Sequence, residues 1–308
     1  MSICMLRSLR YLREQMLPIM AEIKPYLALC RGYISLFAAC SAATGFFIGP
    51  YHRITGALVP AAAVFLLACG ASAMNQFQER DIDEKMERTR RRPLPAGMIT
   101  PRQALSFALT LTVSGMLLLV IAGNAATIVL GLSALLWYNG VYTRLKRITA
   151  YASVPGAFVG AIPPAIGWCA AGGAPVDVRL LPLCLVFFMW QIPHFWLLVI
   201  RHGDEYRRAG LPSLAGVMSA AQISRVTFVW IFAASVACLM LPLYGTIRSP
   251  LVSFSLIPPA AWLAWHGQKL TQRQSAAVLS SGLFRKINIY LFLIMSLMSI
   301  GNIFFRVP

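Results

Sequence analysis

The sequence predicts an all-α polytopic membrane protein with nine transmembrane helices, and three observations carry that prediction. Of its 308 residues, 58% are hydrophobic and 12% charged, and the mean hydropathy is +0.68. A soluble domain carries about twice that charged fraction. The apolar residues fall in runs near the roughly 20 needed to cross a bilayer core. The charges fall in the gaps between those runs, so membrane topology explains the net charge of +17 better than nucleic-acid binding does.

The elements follow in order. Residues 1–24 open with MSICMLRSLRYLREQMLPIM, a short apolar stretch broken by charges and without a clear small-residue cleavage site. They read as a cytoplasmic interfacial segment rather than a cleaved signal. Spans are expected at about 26–48, 56–74, 104–122, 125–142, 153–171, 180–200, 226–244, 250–266 and 287–305. Only Gly123 and Asn124 separate the third from the fourth, and the eighth is short. Pro155, Pro163 and Pro164 predict a bend in the fifth. Polar loops after the second and sixth spans suggest two four-helix halves with a ninth helix added, all within one domain over 1–308.

Counting nine spans places 22 of the 27 lysines and arginines on one side of the membrane and four on the other, with Arg31 inside the first span. Dropping one span inverts every later loop. The positive-inside rule therefore predicts a cytoplasmic N-terminus and an external C-terminus in a cytoplasmic (inner) membrane. The seven cysteines form no CxxC pair and read as small buried hydrophobes.

One stretch departs from this oily background. Between Asn75 and Arg92 stand five of the ten acidic residues (Glu79, Asp81, Asp83, Glu84 and Glu87), followed by Arg88, Arg90, Arg91 and Arg92. Topology accounts for the arginines but not for the acids. If the second span continues as a helix past Met74, then Asn75, Glu79 and Asp83 share one face at i, i+4 and i+8, with Asp81 toward a flank. Carboxylates with an amide oxygen suit Mg²⁺, which takes one or two carboxylates together with substrate phosphates. Arg88, Arg91 and Arg92 offer forked donors to the same phosphate oxygens. The competing reading is a solvated loop of weak surface ion pairs.

Two further regions carry polar groups at the same end. In WYNGVYTRLKRIT, Tyr142, Lys146 and Thr149 lie near one face with Asn139 nearby, and Lys146 and Arg147 serve either topology or a diphosphate. In MWQIPHFWLLVIRHGDEYRRAGLPSL, Gln191 and His194 stand inside the sixth span, where polar groups are costly unless paired or functional. Asp204 and Glu205 offer a second magnesium ligand set facing the first.

Together, NQFQERDIDEKMERTRRRPLPAG (75–97), YTRLKRIT (142–149), GAIPPAIGW (160–168), QIPHFW (191–196) and DEYRRAGLP (204–212) resemble the protoheme IX farnesyltransferase branch of the intramembrane, UbiA-type prenyltransferase superfamily. The similarity runs from about 24 to 300. It implies nine helices around a central cavity open to lipid, Mg²⁺ bridging a prenyl diphosphate, and transfer of farnesyl from farnesyl diphosphate to a vinyl group of protoheme IX. By position it implies metal ligation by Asn75, Glu79, Asp83, Asp204 and Glu205, with Asn75, Glu79, Asp83, Lys146 and Asp204 as the catalytic set. Arg88, Arg92, Lys146 and Arg147 fall to the diphosphate, and His194 and Tyr142 to the acceptor. Membrane lipid and a heme-modifying or oxidase-assembly partner are implied alongside, with no nucleic acid. Trp137, Tyr138, Phe158, Trp168 and Trp190 are candidates for the cavity wall. Two positions depart from the pattern: Glu79 stands where the superfamily usually has aspartate, and GLPSLAGV (210–217) stands where this branch commonly shows G-x-P-M-L-P. Prenylation of a quinone-ring precursor, a secondary transporter and a heme-binding or assembly protein without catalysis are the alternatives.

Overall fold

The computed structural model describes residues 22–50, 54–122, 124–272 and 276–304, apart from the side chains at 204 and 276–281. The segment predicted over 1–24 therefore lies almost wholly outside the described residues. Among those described, every regular element is helical. The first span is a bent pair, α1 (Glu22–Cys30) and α2 (Gly32–Ile48), with 47° between them. There follow α3 (Leu58–Gln78), the short α4 (Arg80–Asp83), α5 (Pro101–Ile121) and α6 (Ala125–Leu135). A π-helical stretch, Leu136–Tyr142, leads into α7 (Thr143–Leu145). Next come α8 (Ser153–Gly156), α9 (Phe158–Ala170), α10 (Leu180–Arg208), α11 (Leu214–Val217) and α12 (Ala220–Ala237). The chain closes with α13 (Met240–Leu243), α14 (Pro250–Ser255), α15 (Ile257–Gly267) and α16 (Ala276–Phe304).

Seven of the described helices are long and apolar enough to cross a membrane, and the α1–α2 pair makes an eighth. Nine is not reached, because the span expected at 250–266 is broken at Leu256 into α14 and α15. Pro258 and Pro259 open α15; each lacks an N–H, so the ladder cannot run through them from α14. The span expected at 226–244 begins earlier, at Ala220, where Ser219 and Gln222 close a capping box. Hydropathy alone misses that polar first turn. The two-residue separator between the third and fourth spans is a true helix boundary, since Asn124 Oδ1 accepts from Ala126 N at 2.8 Å and caps α6. Lipid-facing character is plain on α5, where Leu109, Val113, Leu117 and Val120 are all exposed at helical spacing.

The bundle forms two halves. In one, α2, α3, α5 and α6 pack in sequence; in the other, α10 packs against α12 and α16, and α12 against α15. Helix α9 bridges the halves by touching α2, α6 and α10, while α16 returns to α2. Small residues permit the bridge. A Cβ on Gly167 would stand 1.8 Å from the Ala42 carbonyl oxygen, and one on Gly45 would stand 1.9 Å from that of Pro164. Helices driven together by packing in lipid need such contacts. Gly167→Ala is expected to destabilise the fold by about 1–3 kcal/mol, the ordinary cost of overpacking, read as a lower unfolding midpoint in detergent.

Candidate diphosphate and acceptor site

Helix α3 ends at Gln78, and Glu79 breaks from helical geometry (φ −108°, ψ 8°) before α4. The single continuous helix expected through Asp83 is therefore not formed. The stacking it was meant to give survives, because Glu79 N donates to the Asn75 carbonyl at 3.0 Å and Asp83 N to the Glu79 carbonyl at 2.8 Å. Asn75, Glu79 and Asp83 accordingly stand one above the next. Their exposures are 1%, 3% and 3%, which removes the solvated-loop reading for these three.

Each buried acid has a cation. Arg92 Nη1 donates to both Asp83 oxygens, at 2.7 and 2.6 Å, and Lys146 Nζ forms an ion pair with Glu79 Oε1. Asn75 Nδ2 donates to Thr143 Oγ1 at 3.1 Å, tying α3 to the start of α7. Burial, with the charges of Arg31 and Arg147 pushing the same way, lowers the Lys146 pKa to about 7. Asp81 is turned away. Its carboxylate takes both terminal nitrogens of Arg147 at 3.1 Å, and Arg147 also donates to the Gln78 carbonyl at 2.8 Å. Burial works to raise the Asp81 pKa, but the Arg147 hydrogen bonds and charge outweigh it and hold it below the usual carboxylate range. Asp81 and Arg147 thus form a latch across the rim.

The second acidic loop reaches the first through Glu205, whose Oε2 accepts from Arg88 N at 3.3 Å. Glu205 Oε1 lies 3.5 Å from His202 Nδ1, at the kink in α10. The Arg88 side chain is exposed at the outer edge. Asp204 belongs to α10, but its side chain is outside the described residues. Gly210, at φ +75°, turns the chain out of α10, and the divergent GLPSLAGV stretch then forms α11.

Arg31 is the residue that sequence reasoning passed over. It holds the break between α1 and α2 and is the one described non-glycine residue with positive φ (46°, ψ 54°). A left-handed conformation costs an ordinary L-residue about 1–2 kcal/mol, so the surroundings must sustain it. The carbonyls freed by the break are taken up: Leu29 O accepts from Gln76 Nε2 at 2.9 Å, and Cys30 O from Ser35 Oγ at 2.7 Å. The Arg31 charge bears on both Lys146 and Arg92, adding to burial in lowering their pKa values. The available signal was a charged residue inside a span, by default a functional candidate.

Above the carboxylates runs a wall of rings. Tyr138 stacks on Tyr142 at 5.7 Å, Tyr142 on Phe195 at 5.8 Å, and Phe195 meets His194 edge-on at 5.7 Å. Trp190 and Phe284 flank His194 at 4.6 and 4.7 Å, and Phe37 stacks on Trp190 at 5.5 Å. Lys146 Nζ lies 5.8 Å from the Tyr142 ring, joining this wall to the charged cluster. A Cβ on Gly156 would stand 2.5 Å from the Tyr142 ring, so glycine there seats the tyrosine. The π-helical stretch carries both Tyr138 and Tyr142, in keeping with the frequency of such bulges at functional sites. Of the other candidate wall residues, Trp137 donates to the Pro155 carbonyl, Phe158 is exposed, and Trp168 lies at the far end. There it lines a separate pocket with Ile48, Arg179 and Arg248.

The donor set fits magnesium in the manner expected for a shared site. No three His, Cys, Asp or Glu side chains converge among the described residues, so these residues build no all-protein cage. Two buried carboxylates and a carboxamide do stand on successive turns, and Mg²⁺ takes one or two carboxylates together with substrate phosphates. Arg92 and Lys146 pair with those two acids, and the Arg31 charge bears on both cations, adding positive charge for an anionic ligand. This is the arrangement of a membrane-embedded site with a charged head group at its rim and an apolar, ring-lined interior.

The comparisons agree. The chain belongs to the UbiA prenyltransferase family, whose model matches residues 27–290. Over 219 residues it is 43% identical to a protoheme IX farnesyltransferase of Geobacter sulfurreducens, covering 71% of this chain and 81% of that protein. It is 38% identical over 220 residues to one from Nitratidesulfovibrio vulgaris, covering 71% and 77%. In fold it is similar to a digeranylgeranylglyceryl phosphate synthase, with TM-score 0.73 and 15% identity over 92% of this chain and 99% of that one. A UbiA homolog from Archaeoglobus fulgidus bound to GPP and Mg²⁺ superposes with TM-score 0.61 and 13% identity, covering 91% and 99%.

Proposed function

We propose that this protein transfers the farnesyl group of farnesyl diphosphate to a vinyl group of protoheme IX, giving heme O. The observation that carries the reading is the buried acid–cation cluster of Glu79, Asp83, Lys146 and Arg92, set directly against the ring-lined interior. The names of the curated relatives supply the two substrates.

In the reaction, the bond from farnesyl C1 to the diphosphate oxygen breaks and its electron pair leaves with the diphosphate. The terminal vinyl carbon bonds to C1, and the cation left on the inner vinyl carbon takes hydroxyl from water with release of a proton. Asn75, Glu79 and Asp83 would hold magnesium on one side, with Asp204 and Glu205 as the facing set. Magnesium, when bound, supplies Lewis-acid neutralisation of the leaving group. Lys146 and Arg92 turn from their carboxylates to the phosphate oxygens, with Arg31 beside them and Arg88 at the outer edge. Such preorganised charge at a developing anion is usually the largest catalytic contribution. Arg147, held by Asp81 and the Gln78 carbonyl, keeps α3 and α7 in register and reaches phosphate only on leaving Asp81. Tyr142 and His194 face the acceptor, and the apolar interior keeps stray water from the farnesyl cation.

The same reading takes the α14–α15 pair as a ninth crossing and places the cluster at the cytoplasmic rim of a bacterial inner membrane, on the strength of the charge tally. It treats the chain as one catalytic domain. No Asp or Glu falls inside the seven spans, which disfavours a transporter with coupling acids at mid-membrane. An acceptor competition tests the assignment. In detergent with farnesyl diphosphate and Mg²⁺, mass analysis is expected to find farnesyl and water added to protoheme IX and no gain on 4-hydroxybenzoate. Gain on the phenolic acid alone would move the reading to quinone-precursor prenylation.

A further inference from the structure

His194 does more than face the acceptor. Asn288 Nδ2 donates to the Phe284 carbonyl at 2.7 Å, and a carbonyl can only accept, so the orientation of the Asn288 amide is fixed. Its Oδ1 is then the atom that meets His194 Nδ1 at 3.1 Å. An amide oxygen accepts, so Nδ1 carries the proton and donates. In the neutral ring, Nε2 is left with its lone pair. No carboxylate touches this ring among the described residues; its neighbours are Trp190, Phe195 and Phe284, and Nε2 has no hydrogen-bond partner there. The neutral tautomer with a free Nε2 is therefore built in by α16, not left to chance.

That arrangement is the one iron ligation requires. A metal-binding histidine almost always donates its second ring N–H to an oxygen acceptor, which fixes the tautomer and raises ligand basicity. Imidazole suits iron, and heme iron commonly takes one as its axial ligand. The flanking rings offer flat apolar surface to a porphyrin. The chain of contacts His194, Phe195, Tyr142, Lys146 then leads from that position to the diphosphate end.

We infer that His194 Nε2 binds the iron of the acceptor porphyrin, with Asn288 as its positioning residue, and so sets which porphyrin edge meets the farnesyl group. The inference rests on the proposed function, and its failure is distinguishable from the failure of that reading. The full chain in detergent is titrated with ferric protoheme IX, recording the optical and electron paramagnetic resonance spectra. The wild type is expected to show a nitrogen-ligand signature, and His194→Gly to lose it and regain it on addition of imidazole, which also shows that the variant is folded. Asn288→Ala is expected to weaken heme binding about tenfold or more, while binding of metal-free protoporphyrin IX is the same in all three proteins. Alanine at His52, His202 or His266 is expected to leave the signature in place. A wild-type spectrum in His194→Gly, or a signature that follows another histidine, overturns the inference. So does a wild type that farnesylates heme without any nitrogen-ligand signature. A wild type that ligates heme through His194 yet never farnesylates it supports the ligation and sinks the proposed function instead.

Discussion

Asp83→Asn is expected to reduce farnesyl transfer by about 10²–10³-fold, the loss typical when one preorganised group at a developing charge is removed. The substitution is nearly isosteric, but it removes the negative charge that Arg92 grips with two hydrogen bonds, at 2.7 and 2.6 Å. Two consequences separate. A neutral amide is a weaker magnesium ligand than a carboxylate, so magnesium held as proposed would lose a charged donor on α4. Arg92 also loses its charged partner in a half-buried position, and part of its basic character is freed toward phosphate. The first effect dominates, because productive cleavage needs the leaving group neutralised where the charge appears. Heme association should persist, since the His194 position is separated from Asp83 by the ring wall. Transfer at the wild-type rate in this variant would show that α4 does not hold the metal.

Arg31→Gly is the second. Glycine adopts a positive φ without steric cost, so the variant should relieve about 1 kcal/mol of backbone strain and unfold at an equal or higher temperature. At the same time it removes a cation from the surplus around Glu79 and Asp83. Charge-assisted hydrogen bonds contribute about 1.5–3 kcal/mol, so kcat/KM for farnesyl diphosphate should fall roughly 10- to 100-fold. A gain in stability with a loss of function is the pattern of strain held for a purpose. Arg31→Gly with unchanged kcat/KM would leave the break at Arg31 a matter of packing alone.

These two residues also mark what a sequence can and cannot show. Asp83 was legible, because i, i+4 and i+8 spacing fixes a shared face, and the backbone bonds carry that stacking through the irregular Glu79. The spans were legible because a bilayer imposes their length. The break at Arg31 was not, since it depends on Gln76, 45 positions away in the chain, taking up the Leu29 carbonyl. The pairing of Asp81 with Arg147 was hidden for the same reason, and it answers why Asp81 stands between Glu79 and Asp83 in the chain without facing them. The π-helical seat of Tyr142 leaves no trace in periodicity. The break in the eighth expected span, over 250–266, was not foreseen from apolar length, although Pro258 and Pro259 were in view. Those prolines break the ladder whatever the hydropathy.

The central claim is that the Glu79, Asp83, Lys146 and Arg92 cluster, with Mg²⁺, passes farnesyl from its diphosphate to heme. The most direct measurement follows diphosphate release and porphyrin mass together, in detergent, with farnesyl diphosphate and protoheme IX, before and after chelation of Mg²⁺. The account predicts equal amounts of diphosphate and farnesylated porphyrin while Mg²⁺ is present, and neither once it is chelated. Diphosphate release with no change in porphyrin mass, or transfer that continues after chelation, would contradict it.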